Sequence, residues 1–223
     1  MKKIALVCLT IGAFGVAKAE GEYAHLHVGP YLGIAVSPSK DFQTFANTIP
    51  GGDVVKTDGG GLLGVQLGIG GTWSFHPSSF RLGLDLDITK TLSKEADDPK
   101  GSLVAPDGTV TPLAVSVSQT AVRATLKCIF AFRPNTYPSW YWWIGPTFTQ
   151  AQTKLESTDL AAVSSSYLNI KTYLHGGGMG LGRRTIGESR MGVFEINAFY
   201  LKPSSVGLNA GGLTIEMRGG IQF

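Results

Sequence analysis

The sequence predicts an all-β protein, an eight-stranded antiparallel up-and-down transmembrane β-barrel. Three observations carry that expectation. Eight segments alternate apolar and polar residues with a period of two. Short and long connections between them alternate, which places the short turns at one end of the molecule and the long loops at the other. The last segment, Leu213 to Phe223, puts Leu213, Ile215, Met217, Ile221 and Phe223 on one face, with Thr214, Glu216, Arg218 and Gln222 on the other. A closing strand that ends on an aromatic residue suits a barrel assembled in a membrane, and Ile221 and Phe223 are the candidate assembly signal.

The amino terminus reads as a secretory signal peptide over residues 1–19, with the barrel domain spanning 20–223. Met1-Lys2-Lys3 supplies the positive start, Ile4 to Val16 is an apolar run, and Ala17-Lys18-Ala19 gives small residues before a cleavage site. The run has 13 residues, whereas a spanning helix needs about 20. Cleavage after Ala19 removes Lys2, Lys3 and Lys18. The 19 basic residues then fall to 16, equal to the 16 acidic ones. No basic excess remains to attract nucleic acid. Cys128 is the single cysteine of the mature chain, so no intramolecular disulfide is expected. No stretch after Val16 has the apolar length of a spanning helix, so membrane insertion must use strands.

The eight strands are expected near 22–36, 60–76, 79–92, 113–133, 138–154, 165–184, 189–202 and 211–223. The second places Leu63, Val65, Leu67, Ile69, Trp73 and Phe75 opposite Gly64, Gln66, Gly68, Gly70 and Thr72. In the third, Phe80, Leu82, Leu84, Leu86 and Ile88 oppose Arg81, Gly83, Asp85 and Asp87; in the fourth, Val122, Leu126, Phe130 and Phe132 oppose Arg123 and Lys127. The large apolar face suits lipid and the small or charged face suits a lumen. Pro30 and Pro146 fall inside strands and predict bulges next to Gly29 and Gly145. The sixth strand changes phase between Leu174 and Met179, which predicts a bulge at Gly176-Gly177-Gly178. Aromatics near the short turns, among them Trp73, Phe80, Phe130, Phe132, Trp140, Tyr141, Trp142 and Phe223, predict an interfacial belt.

The signal peptide, eight strands, short turns, four long loops and terminal Phe223 together resemble the small eight-stranded outer-membrane barrels of the OmpA/OmpX type. That resemblance implies residence in the bacterial outer membrane among its lipids and lipopolysaccharide. It also implies delivery by the barrel assembly machinery as a monomer, and it says little about a biochemical role. Some barrels of this kind deacylate lipid A with a His-x-Ser pair. Here His175 is followed at the required position by Gly177, so Glu188 has no nucleophile to serve and no catalytic residue is assigned. His25 and His27 alternate on the first strand without a third ligand, so no metal is expected. The glycine runs at 59–61 and 176–178 lack the Lys-Ser/Thr of a phosphate loop, and no cofactor is expected.

Eight strands leave an interior that side chains can just fill. The inward positions carry Arg81, Asp85, Asp87, Arg123, Lys127, Glu195, Glu216 and Arg218, four bases and four acids. Mixed charges in a narrow interior pair with one another. The expected role is therefore a membrane-anchored scaffold whose loops 37–59, 93–112, 156–164 and 203–209 meet an unknown extracellular ligand. A small-solute channel of low conductance is the alternative, and a lipid-modifying enzyme ranks below it.

Overall fold

The computed structural model describes residues 24–37, 45–57, 62–75, 80–91, 101–132, 138–156, 169–186, 190–203 and 212–223. The signal segment lies outside them. Twelve strands are present: β1 (Ala24–Ser37), β2 (Phe45–Thr48), β3 (Val54–Thr57), β4 (Leu62–Phe75), β5 (Phe80–Thr91), β6 (Gly101–Val104), β7 (Val110–Leu113), β8 (Ser116–Ala131), β9 (Ser139–Glu156), β10 (Asn169–Ile186), β11 (Met191–Pro203) and β12 (Gly212–Gln222).

Eight of these close into an antiparallel barrel in the order β1-β12-β11-β10-β9-β8-β5-β4. Each barrel strand pairs with its sequence neighbours, and β1 closes the ring against β12 through Tyr31↔Gly220 to Val36↔Ile215. Phe223 extends this seam, since its N–H donates to Val28 O at 3.0 Å and its carbonyl accepts from Val28 N–H at 3.2 Å. The barrel is inside out. Gln66, Asp85, Asp87, Arg123, Lys127, Glu195, Asn197 and Glu216 are buried, while Leu32, Leu67, Leu126, Phe148, Met179 and Ile215 are exposed. A surface of that kind is stable only against an apolar solvent, because water penalises such an area of exposed side chains.

Neither proline creates a bulge. The β1–β4 register runs unbroken through Pro30↔Ile69, and the β9–β10 register through Gly177↔Pro146. The ladder on the other side of each proline skips two register positions and resumes in the same frame, with Thr125↔Thr147 followed by Cys128↔Ile144, and Tyr31↔Gly220 by the Val28–Phe223 bonds. The preceding glycines make this possible. A Cβ at Gly29 would collide with Ile221 O, and one at Gly145 with Leu126 O.

The expected phase change in β10 is also absent. Even-numbered positions face inward along its length, from Thr172 and Leu174 to Gly182 and Arg184. Leu174 instead joins an interior apolar cluster with Ile129, Tyr141, Trp143, Ala151, Phe199 and Leu201. The inward glycines Gly178, Gly180 and Gly182 make room for these rings, since a Cβ there would strike Phe199, Trp143 and Tyr141 respectively.

The two longest connections are not plain loops. They supply β2-β3 and β6-β7, two hairpins that join as a four-stranded sheet in the order β2-β3-β6-β7. Both hairpins turn in the same way. Ile49-Pro50-Gly51-Gly52-Asp53 closes with Gly52 N–H donating to Ile49 O and Ile49 N–H to Asp53 O. Ala105-Pro106-Asp107-Gly108-Thr109 repeats the two bonds. Proline fixes the first corner, and Gly52 and Gly108 take the positive φ (89° and 86°) that lets the strands separate cleanly. The underside of the sheet places Ile49, Val55 and Leu113 against Val115 and Leu155, with Leu103 and Ile170 alongside. Val115 stands just before β8, and Leu155 and Ile170 sit at the ends of β9 and β10, so the sheet caps one mouth of the barrel.

Candidate functional site

The barrel interior holds two joined ion clusters. Near the capped end, Arg123 of β8 grips Glu216 of β12 with Nη1 and Nη2 at 2.5 and 2.6 Å, and its Nε reaches Asp87 Oδ2 of β5 at 3.1 Å. One level further from the cap, Lys127 Nζ lies 2.6 Å from Asp85 and 2.7 Å from Glu195. Arg218 Nη2 binds the same two carboxylates. All seven side chains are at most a few per cent exposed. Taking such charges out of water is costly, and the geometry offsets the cost because Asp85 and Glu195 each meet two cations and Glu216 meets Arg123 through two parallel bonds.

Aromatic side chains tie the clusters together. Tyr31 donates its hydroxyl to Asp87 at 3.2 Å while its ring lies 4.1 Å from the Arg218 guanidinium. Tyr141 donates to Glu195 at 2.6 Å. Arg123 stacks on Phe199 at 3.9 Å, and Lys127 Nζ sits 4.5 Å from the Trp143 ring. Trp143 Nε1 in turn donates to Asn197 Oδ1 at 2.9 Å. Cations lying on ring faces inside a low-dielectric interior interact more strongly than exposed ones.

Of the eight charges named from the sequence, seven share this network. Arg81 is buried at another level, where it stands opposite Ser74 and Ile129 in the ladders. Arg184 was not foreseen. It is fully buried, donates from Nη2 to Thr72 Oγ1 at 3.1 Å and covers the Tyr141 ring at 4.7 Å. Tyr141 itself was expected in the interfacial belt and lies inside instead, 1% exposed. The run Ser139-Trp-Tyr-Trp-Trp143 has large rings on both faces, so periodicity alone could not sort them.

The belt is formed by the remaining rings. On the outer face Phe130 stacks on Trp142 at a centroid spacing of 4.5 Å, and Phe80 tilts against Phe130 at 5.4 Å. Arg183 lies over Trp140 at 5.7 Å and Arg190 over Phe223 at 5.5 Å. Ile221 and Phe223 both point outward at this end. His27 is half-buried in β1, and His175 is exposed on the outer face of β10, where the residue two positions on is Gly177, which carries no nucleophile. Among the described residues no group of three His, Cys, Asp or Glu side chains is arranged to hold a metal ion.

Between the ion clusters and the cap lies a narrow cavity of about 50 Å³, bordered by Thr89, Gln119, Thr149, Thr214 and the Arg123–Glu216 pair. The interior is thus floored by ion pairs and roofed by the cap's apolar underside. Within it the charges neutralise one another, and the cavity is walled by Ala35, Leu174 and Leu201 as well as by hydroxyls.

A closed barrel with a lipid-suited wall, a polar ion-paired interior and a belt at one end defines the small eight-stranded outer-membrane-type barrels. No protein-family model and no curated protein sequence matches the chain. Among solved structures it is similar to Neisserial surface protein A, at 12% identity over 90% of this chain and 98% of that one, with a TM-score of 0.47. It is also similar to Ail, the attachment invasion locus protein of Yersinia pestis, at 15% identity over 91% and 100% of the two chains, with a TM-score of 0.44.

Proposed function

We propose that the protein is an integral outer-membrane barrel acting as a non-enzymatic anchor that displays a rigid extracellular cap. The observation that carries this reading is the docking of the β2-β3-β6-β7 sheet on the barrel rim through Val55, Leu113, Val115 and Leu155. Loops that served only to connect strands have no need of a shared apolar core. A platform held at fixed geometry above a membrane does. The segment 1–19, which reads as a secretory signal, and the alternating strand Leu213 to Phe223 support the location.

The ion clusters argue against an open pore, because Arg123–Glu216, Lys127–Glu195 and Arg218–Asp85 join strands that share no ladder and cross the interior near its centre. Surface protease treatment of intact cells tests the reading. Cleavage within 45–57 or 101–113 of a protein that shows heat-modifiable gel mobility is the expected result. Resistance in intact cells with cleavage only after the envelope is opened would place the cap in the periplasm and reject it.

A further inference from the structure

The charges of the barrel are sorted by face. Every acidic side chain described in the barrel wall points inward: Asp85, Asp87, Glu195 and Glu216. Among the described residues of the wall, the outward side chains are cationic or neutral. On the capped half, Lys90, Lys154, Lys171 and Lys202 face out on β5, β9, β10 and β11, while β1, β4, β8 and β12 show Val36, Leu63, Thr120 and Leu213 at similar positions. The overall neutrality of the mature chain conceals this one-sided collar.

Beneath the collar the wall is grooved. A cavity of about 520 Å³ runs along the outer face between Leu86, Val122, Ala124, Phe148, Tyr173 and His175. Leu86, Ala124 and Phe148 lie in one ladder row, so the small Ala124 forms a trough between two larger neighbours. The same row continues through His175 to Lys202, and Gln152 pairs with Lys171 just beyond. Lys202 Nζ is held 5.7 Å from the Tyr200 ring, with Tyr173 exposed on the next strand. An apolar trough therefore leads up to ammonium groups flanked by tyrosines, the arrangement that suits a membrane interface.

We propose that this β9–β11 face binds a phosphorylated, acylated glycolipid of the outer leaflet, with an acyl chain in the trough and phosphate against Lys171 and Lys202. The assignment rests on the outer-membrane reading above. Charge complementarity selects the occupant. A neutral lipid makes no use of the lysines, and a soluble anion makes none of the trough. A collar serving as a general anchor has no reason to favour one side of the barrel.

The test uses the mature protein refolded into phosphatidylcholine nanodiscs, with lipid A or its dephosphorylated form added, and counts glycolipid retained per barrel. Phosphorylated lipid A is expected to be retained near one per barrel and the dephosphorylated form much less. Lys171→Gln with Lys202→Gln is expected to reduce retention roughly thirtyfold, since each of the two cations near an anionic lipid surface contributes on the order of 1 kcal/mol. Arg183→Gln, at the opposite end of β10, is expected to leave retention unchanged.

Equal retention of the two lipid forms overturns the proposal, as does full displacement by inorganic phosphate, which would make the ligand a soluble anion. The wild-type comparison decides the matter even if the double variant does not fold. Heat-modifiable mobility, measured alongside, separates this outcome from failure of the barrel reading: a folded barrel that does not discriminate rejects the lipid site alone.

Discussion

Arg123 and Glu216 lie 93 positions apart in sequence and meet across the barrel through two parallel hydrogen bonds. Three strands separate β8 from β12 on one side of the ring, so this pair links walls that share no ladder. Replacing Glu216 with alanine leaves Arg123 with Asp87 as its remaining carboxylate. Breaking such a buried pair is expected to cost about 3–5 kcal/mol. Urea unfolding in lipid vesicles, followed by gel mobility, measures it. In planar bilayers the wild type is expected to be silent and Glu216→Ala to show brief openings. Steady conductance from the wild type would overturn the closed-interior account.

Gly180 and Gly177 lie on opposite faces of β10 and separate packing from conformational effects. A Cβ at Gly180 meets Trp143 Nε1 and Asn197 Oδ1, whereas one at Gly177 meets only Gly145 O at 3.6 Å. Gly180→Ala is expected to destabilise the barrel by about 1–3 kcal/mol through overpacking, and Gly177→Ala by less than that. Equal effects in the same unfolding assay would show that the interior rings do not constrain this strand.

Val55 is fully buried beneath the cap. Val55→Asp places a carboxylate among Leu113, Val115 and Leu155, a cost of several kcal/mol that undocking of the cap relieves. The expected result is rapid proteolysis within the cap segments, with the heat-modifiable barrel retained. Loss of the barrel along with the cap would show that the two fold as one unit.

Phe223 completes the β1–β12 seam through paired bonds to Val28. Its deletion is expected to slow assembly in cells and to leave unfolded chain in the periplasm, as pulse-chase labelling with gel mobility would show. Unchanged kinetics would remove Phe223 from any role in assembly.

The barrel strands were legible because a period of two, sustained over a dozen residues, fixes both strand and face, as in Phe80 to Thr91. The cap was missed because its strands are four residues long, too short for alternation to register. The turn chemistry of Pro50-Gly51-Gly52 and Pro106-Asp107-Gly108 was the available signal. Bulges were expected wherever a local rule was broken, but tertiary packing supplied other solutions. The Gly-Pro pairs let a neighbouring strand approach closely, and alternate glycines in β10 accommodate interior rings. The inward charges could be listed from phase alone. Which charge meets which depends on strand tilt and ring order, which no local pattern contains. Arg184 and Tyr31 entered the interior account only once β10 and β1 had been placed.

The central claim is that the wall faces lipid and the charges face one another. Neighbouring residues Leu126 and Lys127 test it most directly, because Leu126 is exposed on the wall and Lys127 is buried inside. In a Cys128→Ser background, a fluorophore on a single cysteine at either position is read in vesicles containing a nitroxide-labelled acyl chain. Strong quenching at 126 and weak quenching at 127 is the predicted result. Stronger quenching at 127, or equal quenching at both, would contradict the inside-out barrel.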